Sequence, residues 1–223
     1  RDGKVAGVKV KDLESGLEFN INANYVINST GPWVDELREA NHSKKGKMLH
    51  LTKGIHLVFP HEKLPVRQSV YFDIPDGRMM FAIPRGKVTY IGTTDTNYSG
   101  DKDNVGIDLA DAMYLISAVN NMFPSINLQL EDIISSWAGL RPLINEEGKS
   151  PSELSRKDEI FVSDSGLVSI AGGKLTGYRK MAERTVDLIA KRMEDDYETE
   201  TKSCTTDKIP LCGNAFKKDK HVK

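Results

Sequence analysis

Four strand-like runs follow one another through the first half of the chain: "MLHLTKGIHLVFP", "QSVYFDI", "RMMFAIP" and "KVTYIGTTD". Short Pro-, Gly- and Asp-containing turns separate them, leaving no room for the crossover helices that parallel strands require. This stretch therefore reads as an antiparallel sheet with one buried face.

The flanking segments have a different texture. Val5 to Lys11 and Leu17 to Ile21 alternate as the two arms of a hairpin around "DLESG". "YVINST" is a short apolar run of the kind buried on both faces. It ends at Gly31-Pro32, and "WVDELREA" then reads as a helix with proline in its first turn. "NHSKKGK" is a polar linker. After the strand-rich middle, a helix is expected over Asp108 to Met122, with Leu109, Met113, Ile116 and Val119 on one side and Pro124 as its stop. "LEDIISSWAGLRPL" reads as a strand leading into a polar, disordered-looking loop, Asn145 to Arg156. Two short strands follow, near Ile160–Val162 and Leu167–Ala171. A last helix opens at "GGKLTGYRK", and Leu175, Tyr178, Ala182, Val186 and Ile189 form its apolar stripe. The acidic "EDDYETE" ends the core.

Strand-then-helix units thus bracket a β-rich middle, the order produced when one domain is inserted into another and both share a cleft. The expected class is α+β. The opening "RDGKVAGVKVKD" has no initiator methionine and runs straight into a strand, and "KKDKHVK" closes the chain without a packed ending. The sequence reads as an excised piece of a longer protein.

Composition removes several classes of function. A formal net charge of −1 argues against nucleic acid as the main partner. No apolar run approaches the roughly 20 residues of a spanning helix, and no signal segment opens the chain. Cys204 and Cys212 fit no zinc spacing with the scattered histidines, so no metal is expected; a disulfide is open to the pair, with two reduced thiols the preferred reading. The sequon at Asn41 has no secretory context.

"SIAGGKLTGYRK" is the most suggestive stretch. A Walker-type phosphate loop would need glycine where Val168 stands and Ser or Thr where Leu175 stands, so that reading fails. The G-x-G-x-x-G dinucleotide fingerprint occurs nowhere in the chain. What remains is a pair of glycines that let a ligand approach backbone N–H groups at a helix start, with Lys174 adding a charge. The bland alternative is a glycine turn with a surface lysine. In "WAGLRPL", Arg141 is either a surface tip or the anchor of a buried anion. His56, in a strand among apolar neighbours, is either structural or a base facing a cleft. Thr93, Thr94 and Asp95 close a strand as a hydroxyl-rich turn or a substrate rim. "STGPW" is a strand-to-helix turn at a carboxyl strand end, where ligand crevices of open α/β sheets lie.

The order of these motifs is more specific than any one of them. "NSTGPWVD", "LTKGIHLVFP", "YIGTTD", "GLRPL" and "GGKLTGYRKMAE", with a further match at "TDKIPLCGN", resemble the flavin-dependent glycerol-3-phosphate dehydrogenases from about Val5 to Met193. That resemblance implies an FAD-binding α/β fold with an inserted antiparallel-sheet substrate domain. On this basis residues 1–45 are the trailing part of the FAD-binding domain and 46–130 the substrate domain, 131–195 return to the FAD-binding domain, and 196–223 begin a C-terminal extension. The N-terminal loop that grips the FAD pyrophosphate is missing from this stretch, so the piece alone is expected to bind FAD poorly and turn over nothing.

The resemblance further implies oxidation of sn-glycerol 3-phosphate to dihydroxyacetone phosphate. The C2 hydride passes to flavin N5, and electrons pass on to a quinone from an enzyme held peripherally at the inner, cytoplasmic face of the cell membrane. Thr30, Gly31, Gly172, Gly173, Lys174, Leu175 and Thr176 would lie against the FAD. His56, Arg141, Lys174 and Thr94 would line the substrate side, with His56, Arg141 and Lys174 carrying the chemistry. Some relatives are oxidases that make hydrogen peroxide, and the short loop at 145–156 favours the dehydrogenase. An amino-acid or sarcosine-type oxidase, and a non-catalytic binding or assembly module, are the competing readings.

Overall fold

The computed structural model describes residues 3–145 and 157–211. Two compact units emerge: one from residues 1–29 and 156–223, the other from residues 30–155. The second unit extends beyond the expected 46–130 at both ends, and at the C-terminal end one strand makes the difference. β9 (Ser135–Asn145) pairs antiparallel with β4 (Met48–Pro60) along nearly its whole length, from Met48↔Asn145 to Val58↔Ser135. The "GLRPL" segment therefore belongs to the sheet it was expected to leave. The polar loop expected at 145–156 lies, from residue 146 on, outside the described residues, as does Cys212.

The unit of residues 30–155 is built on that sheet. β5 (Val70–Asp73), β6 (Met79–Arg85) and β7 (Val88–Gly92) lead in this order to β4; β7 and β8 (Thr96–Asn97) share one edge of β4, β9 lies along the other, and every pairing is antiparallel. Along β4 the period-2 alternation divides the side chains between two faces. Ile55, Leu57 and Phe59 join Phe72, Met80, Ala82 and Ile91 in a core covered by α2 (Leu109–Met122). Gly54 and His56 belong to the opposite face.

Asp108 caps α2 by accepting a hydrogen bond from Asp111 N at 2.8 Å. The helix is rotated from the expected stripe. Ala112, Leu115, Ile116 and Val119 face the core, while Leu109 is 64% exposed and Met113 is exposed too. A buried ion pair accompanies this rotation. Lys53 stands on the core side of β4, and its Nζ donates to Asp111 and, at 3.0 Å, to Asp108. Both carboxylates and the 112/115/119 face must therefore point at the sheet. The segment expected as a single strand from residue 130 opens instead with a 3-10 turn, Leu130–Asp132.

α1 (Val34–Ala40) follows a 3-10 turn at Gly31–Trp33. Its buried Arg38 donates to Asp35 Oδ1 at 2.7 Å and to the carbonyls of Lys47 at 3.0 Å and Lys45 at 3.3 Å. Asp35 Oδ2 accepts from Leu49 N at 2.7 Å. The lysine-rich linker is thus tied to the helix before it.

The other unit carries the hairpin of β1 (Gly7–Lys11) and β2 (Glu18–Asn22), with Val8 opposite Ile21. It also holds a three-stranded sheet in the order β10 (Asp158–Val162), β11 (Val168–Gly172), β3 (Ile27–Asn28). The β10–β11 pair is antiparallel and β11–β3 parallel, so "YVINST" contributes only two residues of strand. α3 (Tyr178–Tyr197) completes it. Tyr25 donates to Asp196 Oδ2 at 2.6 Å and meets Tyr197 edge to face, fastening the end of α3 to the chain before β3. Tyr178, Ala182 and Val186 of the expected stripe are exposed along an apolar groove that Ile209 and Leu211 also line.

Candidate functional site

The face of the sheet turned away from α2 carries an aromatic row. Trp137 on β9, His56 on β4, Gly92 on β7 and Phe81 on β6 are consecutive cross-strand partners. The His56 ring stacks on Trp137 with centroids 4.7 Å apart and planes 11° apart, and Phe81 lies 5.5 Å away on its other side. Tyr90 closes the cluster at 5.6 Å from Trp137 and 6.1 Å from Phe81. Gly92 leaves the space beneath the imidazole: a Cβ there would stand 2.4 Å from His56 Cδ2.

Burial, and then the Arg141 guanidinium, push the His56 pKa below the ordinary histidine value. The local geometry gives the reason for the larger effect. His56 Nδ1 is buried with no hydrogen-bond partner among the described residues, so the second N–H of an imidazolium would lack an acceptor there. A neutral imidazole at neutral pH is a competent proton acceptor.

Arg141 shares this face with His56, since Thr52↔Arg141 and His56↔Trp137 are register pairs of the same parity. Its Nη2 donates to Thr93 Oγ1 at 2.8 Å, and its Nη1 donates to the Thr94 carbonyl at 3.0 Å and to Asp95 Oδ1 at 3.3 Å. The guanidinium is thus half-buried and oriented, and is not a free surface tip. Thr94 does not line a substrate space as expected. It is 1% exposed, and its hydroxyl accepts from Ile55 N at 3.1 Å and donates to the Lys53 carbonyl at 3.3 Å. Thr93 and Asp95 are the members of that trio that reach the site.

The remaining expected residues are placed as follows. Thr30 and Gly31 open the 3-10 turn before α1, with Gly31 at φ +59° and open space where its Cβ would be. In the other unit, Gly172 and Gly173 are consecutive left-handed residues at φ +76° and +79°. A Cβ on Gly173 would also meet Met181 Sδ at 2.7 Å, so this position needs glycine for its space as well as its backbone angle. Lys174 begins the 3-10 turn Leu175–Gly177 that runs into α3. Lys174, Leu175 and Thr176 are all exposed, Leu175 by 89%.

The first N–H groups of such a turn have no intrahelical acceptor, and the dipole of the twenty-residue α3 lies behind them. This cradle suits an electron-rich ring edge or an anion. Among the described residues no cluster of His, Cys, Asp and Glu could hold a metal ion.

Sequence reasoning passed over the aromatic partners of His56 and the two in-strand glycines, Gly54 and Gly92. The glycines were the available signal, because an isolated glycine inside a strand pattern marks a close approach of another group.

The FAD dependent oxidoreductase family model matches residues 1–179. The aerobic glycerol-3-phosphate dehydrogenase of Bacillus subtilis is 55% identical over 211 residues, 95% of this chain and 38% of that protein. The corresponding protein of Staphylococcus haemolyticus is 54% identical over 94% of this chain and 38% of its own length. The structure of the glycerol-3-phosphate dehydrogenase from Bacillus halodurans complexed with FAD superposes with a TM-score of 0.79 at 54% identity, covering 87% of this chain and 37% of that one. The chain thus spans well under half the length of these relatives. With the family model covering most of its residues, this chain belongs to the FAD-dependent oxidoreductase family.

Proposed function

We propose that this chain is the substrate-binding part of a flavoenzyme that oxidises sn-glycerol 3-phosphate to dihydroxyacetone phosphate. The observation that carries the reading is the pairing, on one sheet face, of a neutral histidine with an oriented arginine. Identity above one half to glycerol-3-phosphate dehydrogenases supports it. The substrate offers an alcohol that must lose a proton and a phosphate dianion that must be held. Arg141 presents a planar fork to the phosphate oxygens, and His56 accepts the hydroxyl proton. Thr30, Gly31 and the Gly172–Thr176 run are the residues that would hold FAD. When bound, FAD supplies the two-electron acceptor for the C2 hydride. The N–H groups after Gly173 would stabilise negative charge at the flavin's edge, and Lys174 stands beside them.

Further electron transfer to a quinone, from an enzyme peripheral at the inner face of the membrane, belongs to the same proposal. No helix among the described residues is long and apolar enough to cross a membrane. The test uses the full-length flavoenzyme with glycerol 3-phosphate, following reduction of a soluble quinone and formation of peroxide in parallel. Quinone reduction without stoichiometric peroxide is expected; it should be abolished by His56→Ala and strongly weakened, with a raised KM, by Arg141→Ala. Activity within a fewfold of the parent in both variants overturns the assignment. Stoichiometric peroxide in place of quinone reduction makes the protein an oxidase.

A further inference from the structure

Gly54 lies on β4 with ordinary strand geometry, so its backbone does not require glycine. The space above it does. A Cβ built there would lie 2.3 Å from Arg141 Nη2 and 2.5 Å from both Cζ and Nη1. Three guanidinium atoms at nearly one distance mean that the Arg141 head lies flat on the Gly54 backbone. Gly139, the register partner of Gly54 on β9, has nothing within 4 Å of its own Cβ position, so the close approach belongs to Gly54 alone of this pair.

The turn after β7 completes the seat. The Thr94 hydroxyl is bonded to the Lys53 carbonyl and the Ile55 amide, the two residues that flank Gly54. That staple brings the Thr93 hydroxyl, the Thr94 carbonyl and the Asp95 carboxylate to the guanidinium, where they accept from Nη2 and Nη1. A planar cation laid on a flat floor and gripped by oxygens along one edge has its plane and direction fixed.

We infer that Gly54 and Thr93 are positioning residues that fix the Arg141 guanidinium, and so set where the substrate's phosphate is held. This inference rests on the reading of Arg141 as the phosphate anchor. A methyl group at Gly54 meets only the far end of a flexible side chain, so the fold survives while the guanidinium must move by about an ångström to reach an ordinary contact of roughly 3.5 Å. Removing the Thr93 hydroxyl takes from Nη2 the acceptor that holds it on that edge.

The experiment compares Gly54→Ala, Thr93→Val, Thr93→Ser and Arg141→Ala in the full-length holoenzyme. Gly54→Ala is expected to raise KM for glycerol 3-phosphate about tenfold with kcat within about threefold, the split expected for lost uniform binding. Flavin absorbance and Tm should stay near the parent's. Thr93→Val should raise KM by about fivefold, and Thr93→Ser should restore it. In the Arg141→Ala background neither Gly54→Ala nor Thr93→Val should add more than about twofold, because a residue acting through Arg141 has nothing left to position.

KM within twofold of the parent for both Gly54→Ala and Thr93→Val overturns the inference. So does an undiminished effect of either in the Arg141→Ala background. If Gly54→Ala yields no folded holoenzyme, the Thr93 pair decides by the same criteria. An unchanged KM in Arg141→Ala itself overturns the anchor reading instead, which keeps the two failures distinct.

Discussion

His56 and Trp137 are register partners on adjacent strands, and their rings stack at 4.7 Å with an 11° interplanar angle. The indole is still 46% exposed, so it forms an outer wall of the histidine's surroundings. Because burial is the main cause of the lowered His56 pKa, with the Arg141 charge second, removing that wall should reverse most of the shift. Trp137→Ala is expected to bring the His56 titration back toward 6.5, the ordinary value. An NMR titration of the His56 ring protons checks this, with the parent titrating below 6.5. The linkage has a definite sign. Below pH 6.5 the unfolded chain takes up a proton that folded His56 resists, so this group's contribution to stability is lost as pH falls toward the folded pKa.

Gly92→Ala places a methyl group 2.4 Å from His56 Cδ2 and 2.8 Å from Nε2. The imidazole sits between Trp137 and Phe81, so it cannot move aside within its plane of contacts and must tilt out of the stack. A base displaced by even 1 Å loses on the order of 10²-fold in rate. Full-length Gly92→Ala is expected to lose kcat by about that factor, with a smaller change in KM than Gly54→Ala shows. Steady-state kinetics of the two variants side by side make the measurement, and equal effects on KM and kcat in both would contradict it.

How much of this site was legible beforehand depended on which physical interaction fixes each part. The strand runs were readable because alternation is a local property, and β4 follows "MLHLTKGIHLVFP" from Met48 to Pro60. His56 and Arg141 stand out by residue type and motif, and the register places both on one face of the sheet. Which groups surround them was not readable, because Trp137, Phe81 and Gly92 reach His56 only through pairing between strands far apart in sequence. The placement of β9 failed for the same reason, since a long-range pairing overrode the apparent return to the flanking domain. Thr94 was misassigned because its hydroxyl satisfies β4 backbone groups, a role invisible without the fold. The Lys174 run was readable through its glycines, whose left-handed angles are what those residues supply.

The rotation of α2 reverses two apolar positions, since the expected stripe held Leu109 and left out Leu115. Leu115 is fully buried in the core cluster, whereas Leu109 is exposed at the first helical position. Leu115→Ala should cost about 2–5 kcal/mol, through lost transfer energy and the cavity left behind. Leu109→Ala should stay within about 0.5 kcal/mol of the parent. Urea unfolding of full-length variants distinguishes the two, and a similar loss for both would return the helix to the 109/113/116 face.

Lys53 is the strongest case of a charged side chain serving the fold. It is nearly buried, and burial opposes its charge, yet the bonds to Asp111 and Asp108 outweigh that and raise its pKa above the ordinary lysine value. Raised in the folded state, it contributes stability that is present below pH 10.5 and is lost as pH rises through the folded pKa. Lys53→Met keeps the aliphatic volume but leaves Asp111, itself buried, without its cation. Breaking a buried pair in this way costs about 3–5 kcal/mol. The double variant Lys53→Met/Asp111→Leu removes both charges and should recover most of that loss, because two apolar groups of similar size need no compensation. Equilibrium unfolding of the parent, the single and the double variant at pH 7 makes the comparison. A double variant no more stable than Lys53→Met would show that the pair holds α2 to β4 by geometry that apolar packing cannot replace.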